Sequence, residues 1–89
     1  MRTPIVYING LFWPIDKATI SVLDRGFTYG DGLFETMRSY SGKIFRVECH
    51  LDRLFRSARS ILIDLPMTKN EIQTAINETI QLNKLSNSI

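Results

Sequence analysis

Asp24-Arg25-Gly26-Phe27-Thr28-Tyr29-Gly30-Asp31-Gly32-Leu33-Phe34-Glu35-Thr36 is the stretch on which the fold turns. Residues 24 to 32 are too rich in glycine and aspartate for a regular element, and read as a tight, ordered loop. The glycines are spaced somewhat like a dinucleotide fingerprint, but a strand follows where that fingerprint needs a helix. From Leu33 to Tyr40 the pattern is that of a strand. Its period of two puts Phe34, Thr36 and Arg38 on one face and Leu33, Glu35 and Met37 on the other. Ser41-Gly42 is then a hairpin turn, with Lys43-Ile44-Phe45 as the returning strand.

Upstream, Ile5-Val6-Tyr7-Ile8 is strand-prone and runs into Asn9-Gly10, the pair best suited to a type I′ hairpin turn. Leu11-Phe12-Trp13 returns, with Pro14 confined to the strand's edge or end. Asp16 to Val22 is ambiguous. Downstream the period changes. Val47, Leu51, Leu54, Ala58 and Ile61 recur at helical spacing, with Phe55 and Leu62 widening the stripe. Asp64-Leu65-Pro66 ends that helix, because the residue before proline is driven from the α region. Thr68 and Glu71 form a capping-box signature for a second helix, whose apolar face is Ile72, Ala75, Ile76 and Ile80. Asn83 to Ile89 is polar and expected to fray. Strands followed by helices predict an α+β fold, a small antiparallel sheet covered on one face by two helices.

Composition narrows the function. A chain of 89 residues with 44% apolar content and net charge +2 makes one small globular domain. Its basic residues are interleaved with Glu48, Asp52, Asp64, Glu71 and Glu78, so no nucleic-acid stripe stands out. No apolar run approaches the ~20 residues of a membrane span. Cys49 is the single cysteine, without a neighbour that would activate it, and reads as buried packing. One histidine, His50, makes no metal pair. By periodicity alone Arg53 is a solvated helix arginine like Arg56 and Arg59, Tyr29 a core aromatic, and Arg38 a charge on a wet sheet face.

The loop, the strand after it, the Gly42 turn and the series His50-Leu51-Asp52-Arg53-Leu54 come in an order that resembles the N-terminal domain of class IV (fold type IV) pyridoxal-phosphate aminotransferases. That family groups branched-chain and D-amino-acid aminotransferases with aminodeoxychorismate lyase, and the resemblance runs from about Tyr7 to the last residues. It implies the small N-terminal domain of the D-amino-acid aminotransferase-like fold over residues 1–89. The second domain and the lysine that bonds the cofactor then lie outside this sequence, because none of Lys17, Lys43, Lys69 and Lys84 sits in a matching motif.

The resemblance also assigns roles. Arg53 falls on the arginine that grips the phosphate of pyridoxal 5'-phosphate, a task suited to a planar fork of permanently charged donors. Tyr29, Phe34 and Arg38 match substrate-side positions. His50 matches a histidine near the phosphate arginine, and Glu35, on the opposite strand face, would anchor the loop through hydrogen bonds. No catalytic and no metal-binding residue is expected in this stretch. The substrates implied are an amino acid, of the branched-chain or D-amino-acid class, and a 2-oxo acid. Arg38 resembles the branched-chain enzymes, whereas Asp24-Arg25-Gly26 resembles the D-amino-acid and lyase branches. Two rival functions remain: aminodeoxychorismate lyase on the same fold and cofactor, and a non-catalytic interaction module. A cytoplasmic homo-oligomer is expected, with no nucleic-acid or membrane partner.

Overall fold

The computed structural model describes residues 3–84. Strands β1 (Ile5–Ile8) and β2 (Leu11–Pro14) pair antiparallel, from Ile5 opposite Pro14 to Ile8 opposite Leu11. The turn between them is the expected one, with Asn9 at φ 51° and Gly10 at φ 86°. Pro14 ends the strand, and a 3₁₀ turn at Ile15–Lys17 follows.

The glycine-rich stretch holds an element that its composition concealed. Arg25–Tyr29 forms a short helix, α1. Asp24 caps it, its Oδ2 accepting from the Gly26 N–H at 2.9 Å. A side chain at position 26 would bring its Cβ within 2.9 Å of that same oxygen and push the capping carboxylate aside. Gly30 closes the helix in the left-handed region at φ 69°.

The expected strand over Leu33–Tyr40 pairs only at its end. Strand β3 (Ser39–Tyr40) meets β4 (Lys43–Ile44) across the Ser41–Gly42 turn, while residues 33–38 have no ladder neighbour among the described residues. A strand is defined by its hydrogen-bonded partner, and β4 is too short to supply one farther back. The sheet is therefore two separate two-stranded hairpins. The α+β class stands. The two faces also stand, because Leu33, Glu35 and Met37 are half-buried while Phe34, Thr36 and Arg38 are exposed.

Helix α2 (Val47–Ser60) buries Leu51 and Ala58. It stops before Pro66 is reached, because the chain reverses at Leu62. The Ile63 N–H donates to the Ala58 carbonyl at 2.9 Å and the Leu62 N–H to the Arg59 carbonyl at 3.3 Å, a Schellman closure. Cys49, expected as packing, is exposed on this helix. It lies one position from the buried stripe, where the helix turns toward solvent.

Helix α3 (Lys69–Asn83) starts on the predicted capping box, with the Glu71 N–H on Thr68 Oγ1 at 3.1 Å and the Thr68 N–H on Glu71 Oε1 at 2.9 Å. Ile80 is buried. Ile72, Ala75, Ile76, Tyr7 and Met67 join it around an apolar cleft of about 240 Å³ between α3 and β1. No described helix is long and apolar enough to cross a membrane.

Asn83 does not fray. Its Oδ1 accepts from the Ile5 N–H at 2.7 Å, and its Nδ2 donates to the Ile5 and Thr79 carbonyls at 2.8 Å each. The side-chain amide thus substitutes for a strand neighbour of β1, and no local pattern could announce a contact across 78 positions. The rest of the expected fraying tail, Leu85 to Ile89, lies outside the described residues. Asn83→Ala should lower the stability of the chain by about 1–3 kcal/mol, since it strands the Ile5 amide and carbonyl together. Urea unfolding followed by circular dichroism measures this, and an unchanged midpoint would show that water replaces the amide at no cost.

Candidate functional site

Where α2 passes the segment 33–38, three of the chain's polar side chains converge. Glu35 points inward from that segment and is only 11% exposed. Its Oε2 accepts from Arg53 Nε at 2.8 Å, and its Oε1 accepts from Arg53 Nη2 at 2.8 Å. His50, one helical turn before Arg53, places Nδ1 at 2.7 Å from the same Oε1. An ionised carboxylate only accepts, so Nδ1 carries the ring hydrogen and donates it to Glu35. The 3.3 Å approach of Arg53 Nη2 to Nδ1 then joins two donors and is a contact only.

The charges fit this arrangement. Hydrogen bonds from Arg53 and then from His50 hold the Glu35 carboxyl at about 2, against the opposing pull of burial. Glu35 in turn raises the Arg53 guanidinium above its ordinary value. Arg53 uses one side of its fork on Glu35. The Nη1 side makes no hydrogen bond to another described residue, and the side chain is 58% exposed. A guanidinium oriented from behind by a carboxylate, with its other edge facing outward, can take a phosphate or carboxylate without rearranging. The donor set therefore fits the phosphate of the cofactor that the sequence implies.

The other expected site residues lie on the outward face. Tyr29 ends α1 and is 72% exposed, so the core-aromatic reading of its pattern fails. Phe34 is 89% exposed. Arg38 is exposed, with its guanidinium 5.5 Å from the Tyr40 ring centroid. Phe34 and Arg38 share one face roughly 13 Å apart along an extended chain. Among the described residues no hydrogen bond or ring contact joins Tyr29, Phe34 and Arg38 to one another. No group of described side chains could hold a metal ion.

Sequence reasoning gave Glu35 an anchoring role but not its partners, which lie 15 and 18 positions away. It also missed the Arg25–Asp31 pair. Arg25 Nε and Nη2 reach Asp31 Oδ2 at 3.1 and 2.7 Å, and opposite charges six apart across a glycine loop were the available signal.

The clamp makes stability depend on acid in a defined direction. The folded Glu35 carboxyl titrates at about 2 and the unfolded one near 4.5. Its stabilisation is thus complete above the unfolded value and is lost as pH falls from 4.5 toward 2. Glu35→Gln should be less stable than the parent at neutral pH, and the gap in urea midpoint should close across that window. A gap of constant size down to the acid end would mean that the carboxylate charge does not hold the clamp.

Comparison with known proteins identifies the family. The family profile of amino-transferase class IV matches residues 32–89. The chain is 40% identical over 82 residues to a D-alanine aminotransferase of Staphylococcus haemolyticus, covering 92% of this chain and 29% of that protein. It is 35% identical over 81 residues to an aminodeoxychorismate lyase of Bacillus subtilis (strain 168), covering 91% and 28%. In structure it matches the T.th. branched-chain amino acid aminotransferase complexed with N-(5'-phosphopyridoxyl)-L-glutamate. That match has a TM-score of 0.87 at 30% identity, over 98% of this chain and 30% of the other. The chain thus spans about three tenths of the length of these relatives. With the profile matched over more than half of its residues, this chain belongs to the class IV aminotransferase family.

Proposed function

We propose that residues 1–89 form the small domain of a pyridoxal-phosphate-dependent transaminase, which moves an amino group between an amino acid of the branched-chain or D-amino-acid class and a 2-oxo acid. The observation that carries the reading is the Arg53 guanidinium, fixed on Glu35 by two hydrogen bonds of 2.8 Å and open on its far edge. Bound there, pyridoxal phosphate supplies the electron sink that lets the bonds at the amino acid's Cα be broken.

This chain's residues bind and orient. Arg53 would hold the phosphate. Glu35 keeps the guanidinium plane fixed, so little side-chain freedom is lost when the anion arrives. His50, donating from Nδ1 to Glu35, fixes the carboxylate in turn. On the outward face Phe34 offers an apolar wall and Arg38 a positive charge, which suit an amino acid's side chain and its carboxylate. Tyr29 adds a ring and a hydroxyl. Among the lysines, Lys69 is paired with Asp52 at 2.6 Å, and none is assigned to the chemistry. The isolated chain should therefore show no turnover with pyridoxal phosphate and substrates.

In the full-length protein Arg53→Ala should lose cofactor on dialysis far faster than Arg56→Ala or Arg59→Ala. Loss of a charge-assisted bidentate contact weakens binding on the order of ten- to a hundredfold. Loss of a solvated helix arginine weakens it by less than about fivefold. Arg53→Lys should recover only part, since an ammonium brings charge without the fork. The pyridoxamine form, which has no covalent tether, shows the difference most clearly. Equal retention of that form by all three alanine variants would remove Arg53 from the phosphate site.

A further inference from the structure

Tyr29 is exposed, yet it is not free. The Arg25 guanidinium carbon lies 5.0 Å from the Tyr29 ring centroid. Arg25 is itself tied down, with Nε and Nη2 both on Asp31 Oδ2. Backbone contacts brace the same segment, because the Asp31 N–H donates to the Arg25 carbonyl at 3.3 Å and the Thr28 N–H to the Asp24 carbonyl at 2.9 Å. Asp24, Arg25, Tyr29 and Asp31 thus form a closed clip around α1, and the aromatic ring is its outward part.

We infer that Arg25, anchored on Asp31, positions the Tyr29 ring for the amino-acid substrate and so sets how tightly that substrate binds. The inference rests on the reading of Tyr29 as a substrate-side residue. A cation over one face of a tyrosine occupies that face, leaving the other face and the hydroxyl edge to a ligand. An exposed tyrosine without such a partner samples several rotamers, and ordering it on binding weakens affinity. Arg25 acts through the ring and touches neither substrate nor cofactor, so it is a positioning residue. Asp31 holds Arg25 as Glu35 holds Arg53, and each arginine is set by an acid from a neighbouring segment.

Two measurements separate this inference from the reading beneath it. In the 89-residue chain, the NMR ring signals of Tyr29 should shift in Arg25→Ala and return part of the way in Arg25→Lys. Those of Tyr7 and Tyr40 should stay in place. In the full-length protein, Arg25→Ala should raise KM for the amino acid by about two- to fivefold with kcat nearly unchanged. Asp31→Asn should move KM the same way. Arg25→Ala should add nothing in a Tyr29→Ala background and should keep its effect in Tyr29→Phe. Unmoved Tyr29 ring signals, or an Arg25→Ala effect that adds fully to Tyr29→Ala, overturn the inference and leave the substrate-side reading of Tyr29 intact. Ring signals that shift while neither Arg25→Ala nor Tyr29→Ala alters KM overturn that reading, and with it the role given to Arg25.

Discussion

Glu35 is the residue whose side chain ties the segment 33–38 to α2. It receives Arg53 Nε, Arg53 Nη2 and His50 Nδ1, all within 2.8 Å. The segment that carries it has no strand partner until Ser39, so backbone pairing does not fix its distance from α2. The carboxylate does. Because Glu35 is nearly buried and its partners carry most of its hydrogen-bonding capacity, removing either partner leaves a charge poorly solvated, which is the costly case. The same contact that holds the segment also fixes the Arg53 guanidinium, so one side chain serves both the fold and the proposed phosphate site.

This arrangement divides the segment's two faces by role. The inward face, Leu33, Glu35 and Met37, is half-buried and fastens the segment to the body of the chain. The outward face, Phe34, Thr36 and Arg38, is left exposed. A one-residue slip would exchange the two faces completely. The ion pair acts against such a slip, since an apolar residue or threonine brought opposite Arg53 could not replace the carboxylate. Specificity of register therefore comes from a charge contact where a sheet would ordinarily provide it through its ladder.

Much of this was legible in the residues themselves. Period two gave both faces of the segment, Asn9-Gly10 gave the first turn, and Thr68 with Glu71 gave the start of α3. These are local signals, within a few positions of what they determine. The roles proposed for Phe34, Arg38 and Arg53 come from resemblance to a family, since pattern alone makes each arginine a solvated one. What stayed hidden was of two kinds. Asn83 on Ile5 and Glu35 on Arg53 are contacts between distant positions, set by tertiary placement that no window of sequence contains. The α1 turn was concealed by its glycines, whose unfavourable propensity is offset by the Asp24 cap and the Arg25–Asp31 pair. Cys49 was misjudged for a simpler reason: apolar character says that a residue can be buried, not that it is.

The manner in which α2 ends shows how far polar closure, more than a large interior, shapes this chain. A Schellman turn prefers glycine at its left-handed position, yet here it holds Leu62 at φ 59° with 91% of the residue exposed. A side chain in that region costs about 1 kcal/mol or more, and its exposure means that no burial among the described residues offsets it. The two carbonyls that the turn satisfies do offset it, because without them the last turn of α2 would leave acceptors unpaired. The same logic recurs at three other junctions. Asp24 closes the start of α1, Thr68 with Glu71 the start of α3, and Asn83 the edge of β1, while the buried apolar residues are only Leu51, Ala58 and Ile80 among the described residues. Hydrogen bonds at the ends of elements have a fixed geometry, which apolar contact lacks. A fold closed in this way can leave Leu23, Phe27, Phe34 and Leu62 outside without losing its shape.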